Sequence, residues 1–188
     1  TSPLYGAYLN PSSARVTYSD DAGIAPASMG TYTIEAVYTP INTSTSTSHG
    51  MFGSGYPGST TKRSFQGHFD VGSSYFYFAD NVSNSSVGAG TAFTDNTIST
   101  IRPQSLVVQL NGDGVSVWWN GKLQINDQTI HASAPWANAW DRFNLFADRV
   151  LSPTTFSGNL ISMRLTKGVA RYSVGSDIIP NYVGFPES

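Results

Sequence analysis

Cysteine is absent from this chain of 188 residues. That removes disulfides, thiolate metal sites and cysteine nucleophiles together. Charge is scarce as well: Asp, Glu, Lys and Arg make up 12% of the residues, about half of the ~25% usual in globular proteins. Glutamate occurs only as Glu35 and Glu187, too few and too far apart for a ready-made acid pair on one strand. Ten Lys and Arg against twelve Asp and Glu leave a net charge of −2. The basic residues are scattered singly, so no stripe tracks a phosphate backbone and nucleic acid is a poor partner. No apolar run approaches the ~18 residues of a membrane span, so no membrane insertion is expected. No long window sustains helical spacing. No signal-peptide pattern stands at the N terminus, and a start at Thr1 suggests a processed or excised piece.

What is present is aromatic and hydroxylic. Phe, Trp and Tyr reach 13%, which together with the low net charge excludes a disordered body. The length fits one domain over residues 1–188. Two Ser/Thr-rich stretches, 42–48 and 81–86, are expected as loops between strands, and the sequons at Asn42, Asn81 and Asn84 matter only in a glycosylating host.

Strand patterns fill most of the rest. Tyr32-Thr-Ile-Glu-Ala-Val-Tyr-Thr39 alternates, with Tyr32, Ile34, Ala36 and Tyr38 on one face. Phe65, Gly67, Phe69 and Val71 oppose Gln66, His68 and Asp70. Tyr75–Phe78 follows a Gly-Ser-Ser turn. Leu106–Leu110, a turn at Asn111-Gly-Asp-Gly114, Val115–Trp119, a type I′ turn at Asn120-Gly121 and Lys122–Ile125 make a three-stranded meander. Phe143–Phe146 and Gly158–Thr166 complete the set, and residues 135–143 are allowed one or two helical turns. The pattern predicts an all-β antiparallel sandwich or barrel.

Several of these pieces carry a resemblance. Tyr32-Thr-Ile-Glu-Ala-Val-Tyr-Thr-Pro40, the meander Ser105–Leu123, Asn144–Val150 and Ser157–Ser173 resemble, in order and spacing, the laminin-G-like domains of the concanavalin A-like lectin/glucanase group. The closing Thr166-Lys-Gly-Val-Ala-Arg-Tyr172 is similar to such domains in bacteriophage tail and virion proteins. The resemblance implies a concanavalin A-like, two-sheet jelly-roll sandwich with one concave sheet. It also implies a place on the virion surface, outside cells, as a tail fibre, appendage or decoration domain. Low charge and absent cysteine suit a particle made inside a cell and surviving outside it.

Chemistry is sparse. Retaining glycan hydrolysis needs two carboxyls ~5–5.5 Å apart, whereas Asp20 and Asp21 are adjacent and would point to opposite faces of a strand. No Gly-x-Ser-x-Gly elbow accompanies His49, His68 or His131, and His49 is expected exposed beside its loop. No catalytic residue and no cofactor are expected. Calcium-binding relatives carry acids in the closing strand where this chain has Ser162 and Met163, so no metal is expected, with Asp20, Asp21 and Asp113 the remaining loop oxygens.

Aromatic residues are the functional lead, since sugar rings stack on Trp and Tyr while hydroxyls bond to polar neighbours. The candidate ligand-binding residues are Trp118, Tyr75, Tyr77, His68, Asp70, Trp136 and Trp140. Trp118 is expected exposed because Trp119 takes the core side. Tyr75 and Tyr77 face either the ligand or the core, His68 and Asp70 either the concave or the convex surface. Trp136 and Trp140 either read a ligand or pin their loop. The expected partner is a host-surface glycan. The alternative is a structural module whose aromatics contact other virion subunits or further copies of the chain.

Overall fold

The computed structural model describes residues 7–9, 16–19, 31–40, 48–55, 63–70, 75–81, 86–92, 101–111, 114–127, 142–145, 158–183 and 185, with side chains at 31–39, 101–111, 114–126, 158–183 and 185. The described residues form twelve strands: β1 (Ala7–Leu9), β2 (Val16–Ser19), β3 (Tyr32–Pro40), β4 (Ser48–Gly55), β5 (Arg63–Asp70), β6 (Tyr75–Asn81), β7 (Ser86–Ala92), β8 (Gln104–Asn111), β9 (Gly114–Trp119), β10 (Lys122–Asp127), β11 (Arg142–Leu145) and β12 (Gly158–Lys167). They make two six-stranded sheets. The first runs β1-β12-β3-β8-β9-β10 and the second β2-β11-β4-β5-β6-β7. Every pairing is antiparallel. This is the all-β jelly-roll architecture.

The meander follows its sequence. Asn120 and Gly121 have φ of 48° and 83°, the two positive values a type I′ turn requires. The Asn120 carboxamide tightens the turn: Oδ1 accepts from the Ser105 amide at 2.9 Å and Nδ2 donates to Gln104 Oε1 at 2.9 Å. Alternation then sorts the first sheet into two faces. Ile34, Ala36 and Tyr38 pair with Val108, Leu106 and Gln104, and Val117 and Trp119 pair with Val108 and Leu106. Gln104 excepted, these side chains are the apolar core, as expected for Val115, Val117 and Trp119, all at most 1% exposed. Each such side chain contributes roughly 1.5–3 kcal/mol.

Two regions depart from the sequence reading. His49 lies in β4, a segment in which no strand was expected, and Arg142, expected in a helical turn, joins the expected strand residue Phe143 in β11. Strand β4 reads Ser-His-Gly-Met-Phe-Gly-Ser-Gly, and its three glycines dilute any alternation. The strand exists because both neighbours, β5 and β11, supply ladder partners.

Candidate functional site

Register defines the two faces of the second sheet. Val16, Leu145, Phe52, Gly67, Phe78 and Ala89 align as one row across all six strands. The alternate row is Thr17, Asn144, Gly53, Gln66, Ala79 and Gly88. One row is apolar and the other polar or small, so the sheet is amphipathic. Tyr77 pairs with His68 and Tyr75 with Asp70. Alternation puts all four on the face of Gln66 and Asn144, opposite the phenylalanines. Gly50 and Gly90 flank the His68–Tyr77 pair. Four of the seven candidate residues thus come together on one polar face. Trp136, Trp140 and His131 lie outside the described residues, as do Asp20, Asp21 and Asp113.

Trp118 does not join them, and its expected exposure is corrected: the residue is 0% exposed. It does sit on the opposite face from Trp119. That face is covered too, because the chain turns at Gly168 (φ 81°) and residues 168–183 run back across it without regular structure. The indole Nε1 donates to the Ser176 carbonyl at 2.7 Å, and the Tyr172 ring lies against the indole at a centroid distance of 5.8 Å. Trp118 is an aromatic platform, and the chain's own tyrosine occupies it.

Beside Trp118 is a cluster the sequence reading passed over. Glu35 is 0% exposed. Arg164 holds it bidentately, Nε to Oε2 at 2.5 Å and Nη2 to Oε1 at 2.6 Å. The Tyr172 hydroxyl donates to Oε1 at 2.5 Å, and Arg171 Nε stands 3.6 Å from Oε2. Its hydrogen bond to Glu35 raises the Arg164 pKa. Burial, then the hydrogen bond to Glu35, pushes the Tyr172 hydroxyl up to about 12. With both oxygens engaged, Glu35 is an anchor for the covering segment. The signal was present in the sequence: a glutamate inside a β-rich run, and Arg-Tyr closing the last motif. Among the described residues no group of three or more His, Asp or Glu could hold a metal ion.

The sequence matches no protein-family model and no curated protein. Solved structures do share its fold. The CBM40 domain of the Ruminococcus gnavus IT-sialidase aligns with a TM-score of 0.60 at 11% identity, over 86% of this chain and 88% of that one. Domains LG4-5 of the mouse laminin α1 chain align at 0.59 and 12%, over 97% of this chain and 47% of that one. Sheep galectin-11 aligns at 0.53 and 9%, over 85% of this chain and 100% of that one. The fold is that of lectins, carbohydrate-binding modules and laminin G domains.

Proposed function

We propose that this domain is a non-catalytic carbohydrate-recognition module that reads glycans with the polar face of its second sheet. The observation that carries this is the register placing Gln66, His68, Asp70, Tyr75 and Tyr77 on one face, with glycines beside the central pair. Tyrosines supply stacking surfaces, the polar residues hydrogen-bonding groups, and glycines room for a ring to approach. Proteins of like fold support the reading. The R. gnavus CBM40 has been solved bound to α2,3- and α2,6-sialyllactose, and domain 4 of the Geobacillus stearothermophilus arabinanase AbnA in complex with arabinotriose. The closing motif supports a finer assignment, a tail-fibre or appendage domain on the outside of a phage virion, where many weak sites act through avidity. A glycan array followed by titration with host lipopolysaccharide tests it. Saturable binding that His68→Ala and Tyr77→Ala abolish supports the reading, and a flat response across the panel overturns it.

A second reading, contact with other virion subunits or further copies, rests on Ile179 and Val183, 93% and 74% exposed. Light scattering over a concentration series would detect self-association.

A further inference from the structure

The segment that seals the first sheet is held in an unusual way. Seven of its contacts use its own backbone: Gly168 N to Thr31 O (2.7 Å), Val169 O from Thr33 Oγ1 (2.9 Å), Arg171 N to Thr33 Oγ1 (3.4 Å), Tyr172 N to Gln109 Oε1 (3.0 Å), Tyr172 O from Gln109 Nε2 (2.8 Å), Ser176 O from Trp118 Nε1 (2.7 Å) and Ile178 N to Gly121 O (2.8 Å). The Gln109 carboxamide pairs with both backbone groups of one residue, as a neighbouring strand would. Side-chain identity enters mainly through Tyr172 and Asp177, with Arg171 Nε adding a longer 3.6 Å ion pair to Glu35. Tyr172 reaches Glu35 and Trp118. Asp177 takes the Leu123 amide at 3.0 Å and the Lys122 ammonium at 2.9 Å. Val169, Val174 and Ile179 are exposed, so this face does not read their side chains. A surface that grips backbone throughout and selects two side chains is built as peptide-recognition surfaces are built.

We propose that the outer face of β3, β8, β9 and β10 is a peptide-binding groove specific for Tyr-x-x-x-x-Asp, filled here in cis and able to take the same segment from a second copy of the chain. The hinge is Gly168, where even an added Cβ would meet nothing within 4 Å. The occupant is fixed by the segment already seated, whose backbone and two selected side chains match the groove's donors and acceptors. Exchange between copies keeps every contact and changes only the connectivity, which makes it a low-cost route to assembly. This inference concerns the opposite sheet from the glycan face and stands independently of it.

The test uses the full chain with a weakened strap (Tyr172→Ala, Asp177→Ala, Ile178→Pro, the last removing the amide that bonds to Gly121) and a fluorescent peptide of residues 167–183. Anisotropy should show saturable binding to the weakened chain at least tenfold tighter than to the unaltered chain, whose groove is filled. The peptide with Tyr172→Phe and Asp177→Asn should bind the weakened chain at least tenfold less well. Equal binding to both chains would place the peptide elsewhere and overturn the proposal. So would absent binding while hydrogen exchange shows the strap open, or global unfolding of the weakened chain, which would make the segment part of the core.

Discussion

The two faces of the first sheet are equally dry, but only the outer one buries a set of polar side chains among its apolar ones. On the inner face, Ile34, Val108, Val117 and Trp119 are buried as apolar side chains in the core. On the outer face, Thr33, Glu35, Gln109 and Ser116 are buried just as completely, and hydrogen bonds offset their desolvation one by one. Burial alone therefore does not distinguish core from interface. What distinguishes them is whether the covering layer must match donors and acceptors. The inner face constrains its cover by volume, the outer face by the position of each polar group.

The largest expected effect comes from making the outer face chemically like the inner one. Glu35→Leu should lower stability to urea by about 3–5 kcal/mol, because Arg164 and Tyr172 lose the partner that justified their partial burial. Adding Arg164→Met should recover most of that loss. If the double variant is no better than the single, the polar cluster is not a self-contained unit and the comparison fails.

Glycine gives the next contrast. Gly121→Ala should cost at least about 2 kcal/mol. Its Cβ would lie 2.7 Å from Pro180 Cδ and closer still to the Ile178 carbonyl oxygen, so it would lift the strap as well as strain the turn. Gly168→Ala meets no neighbour and should cost roughly 1 kcal/mol, the left-handed backbone alone. Urea midpoints of the two variants check the ranking.

Alkali offers a gentler probe. The Tyr172 hydroxyl titrates near 12 in the folded chain against the usual 10, so the folded form favours the protonated state. Its contribution is complete below pH 10 and is lost as pH rises towards 12. The difference in phenolate absorbance between the unaltered chain and Tyr172→Phe should therefore titrate close to 12; a step near 10 would mean an open strap. The smallest effect is expected in acid. Lys122 and the Leu123 amide hold the Asp177 carboxyl below its usual 3.8. Its contribution is present above that value and fades as pH falls through the lowered one. Hydrogen exchange at Leu123 should quicken there, while β8 stays protected.

How much of this was legible in the sequence depended on which physical signal each part used. The strands β3, β8, β9 and β10 were visible because alternation and the Asn120-Gly121 turn are local patterns. Glycine-rich β4 and β7 were not, because their identity as strands comes from ladder partners distant in sequence. The pairing of His68 with Tyr77 follows from register, which alternation within single strands leaves open. Trp118 was misplaced for a related reason. Alternation fixes the face on which a residue stands and says nothing of what lies over that face, and here the cover comes from residues more than fifty positions later. The contacts of Glu35 needed the same long-range information, although each partner sits in a recognisable motif.

The Asn120-Gly121 turn has a further consequence, one of chemical ageing. An asparagine followed by glycine is the pair most prone to lose its amide nitrogen, by cyclising onto the next backbone nitrogen. In this turn both ends of the carboxamide are engaged, one by Ser105 and the other by Gln104. The carbon cannot swing onto the Gly121 nitrogen without breaking them. Of the chain's two Asn-Gly pairs, the one in this hairpin is thus guarded by its own hydrogen bonds, whereas Asn111, which precedes Gly112, is exposed.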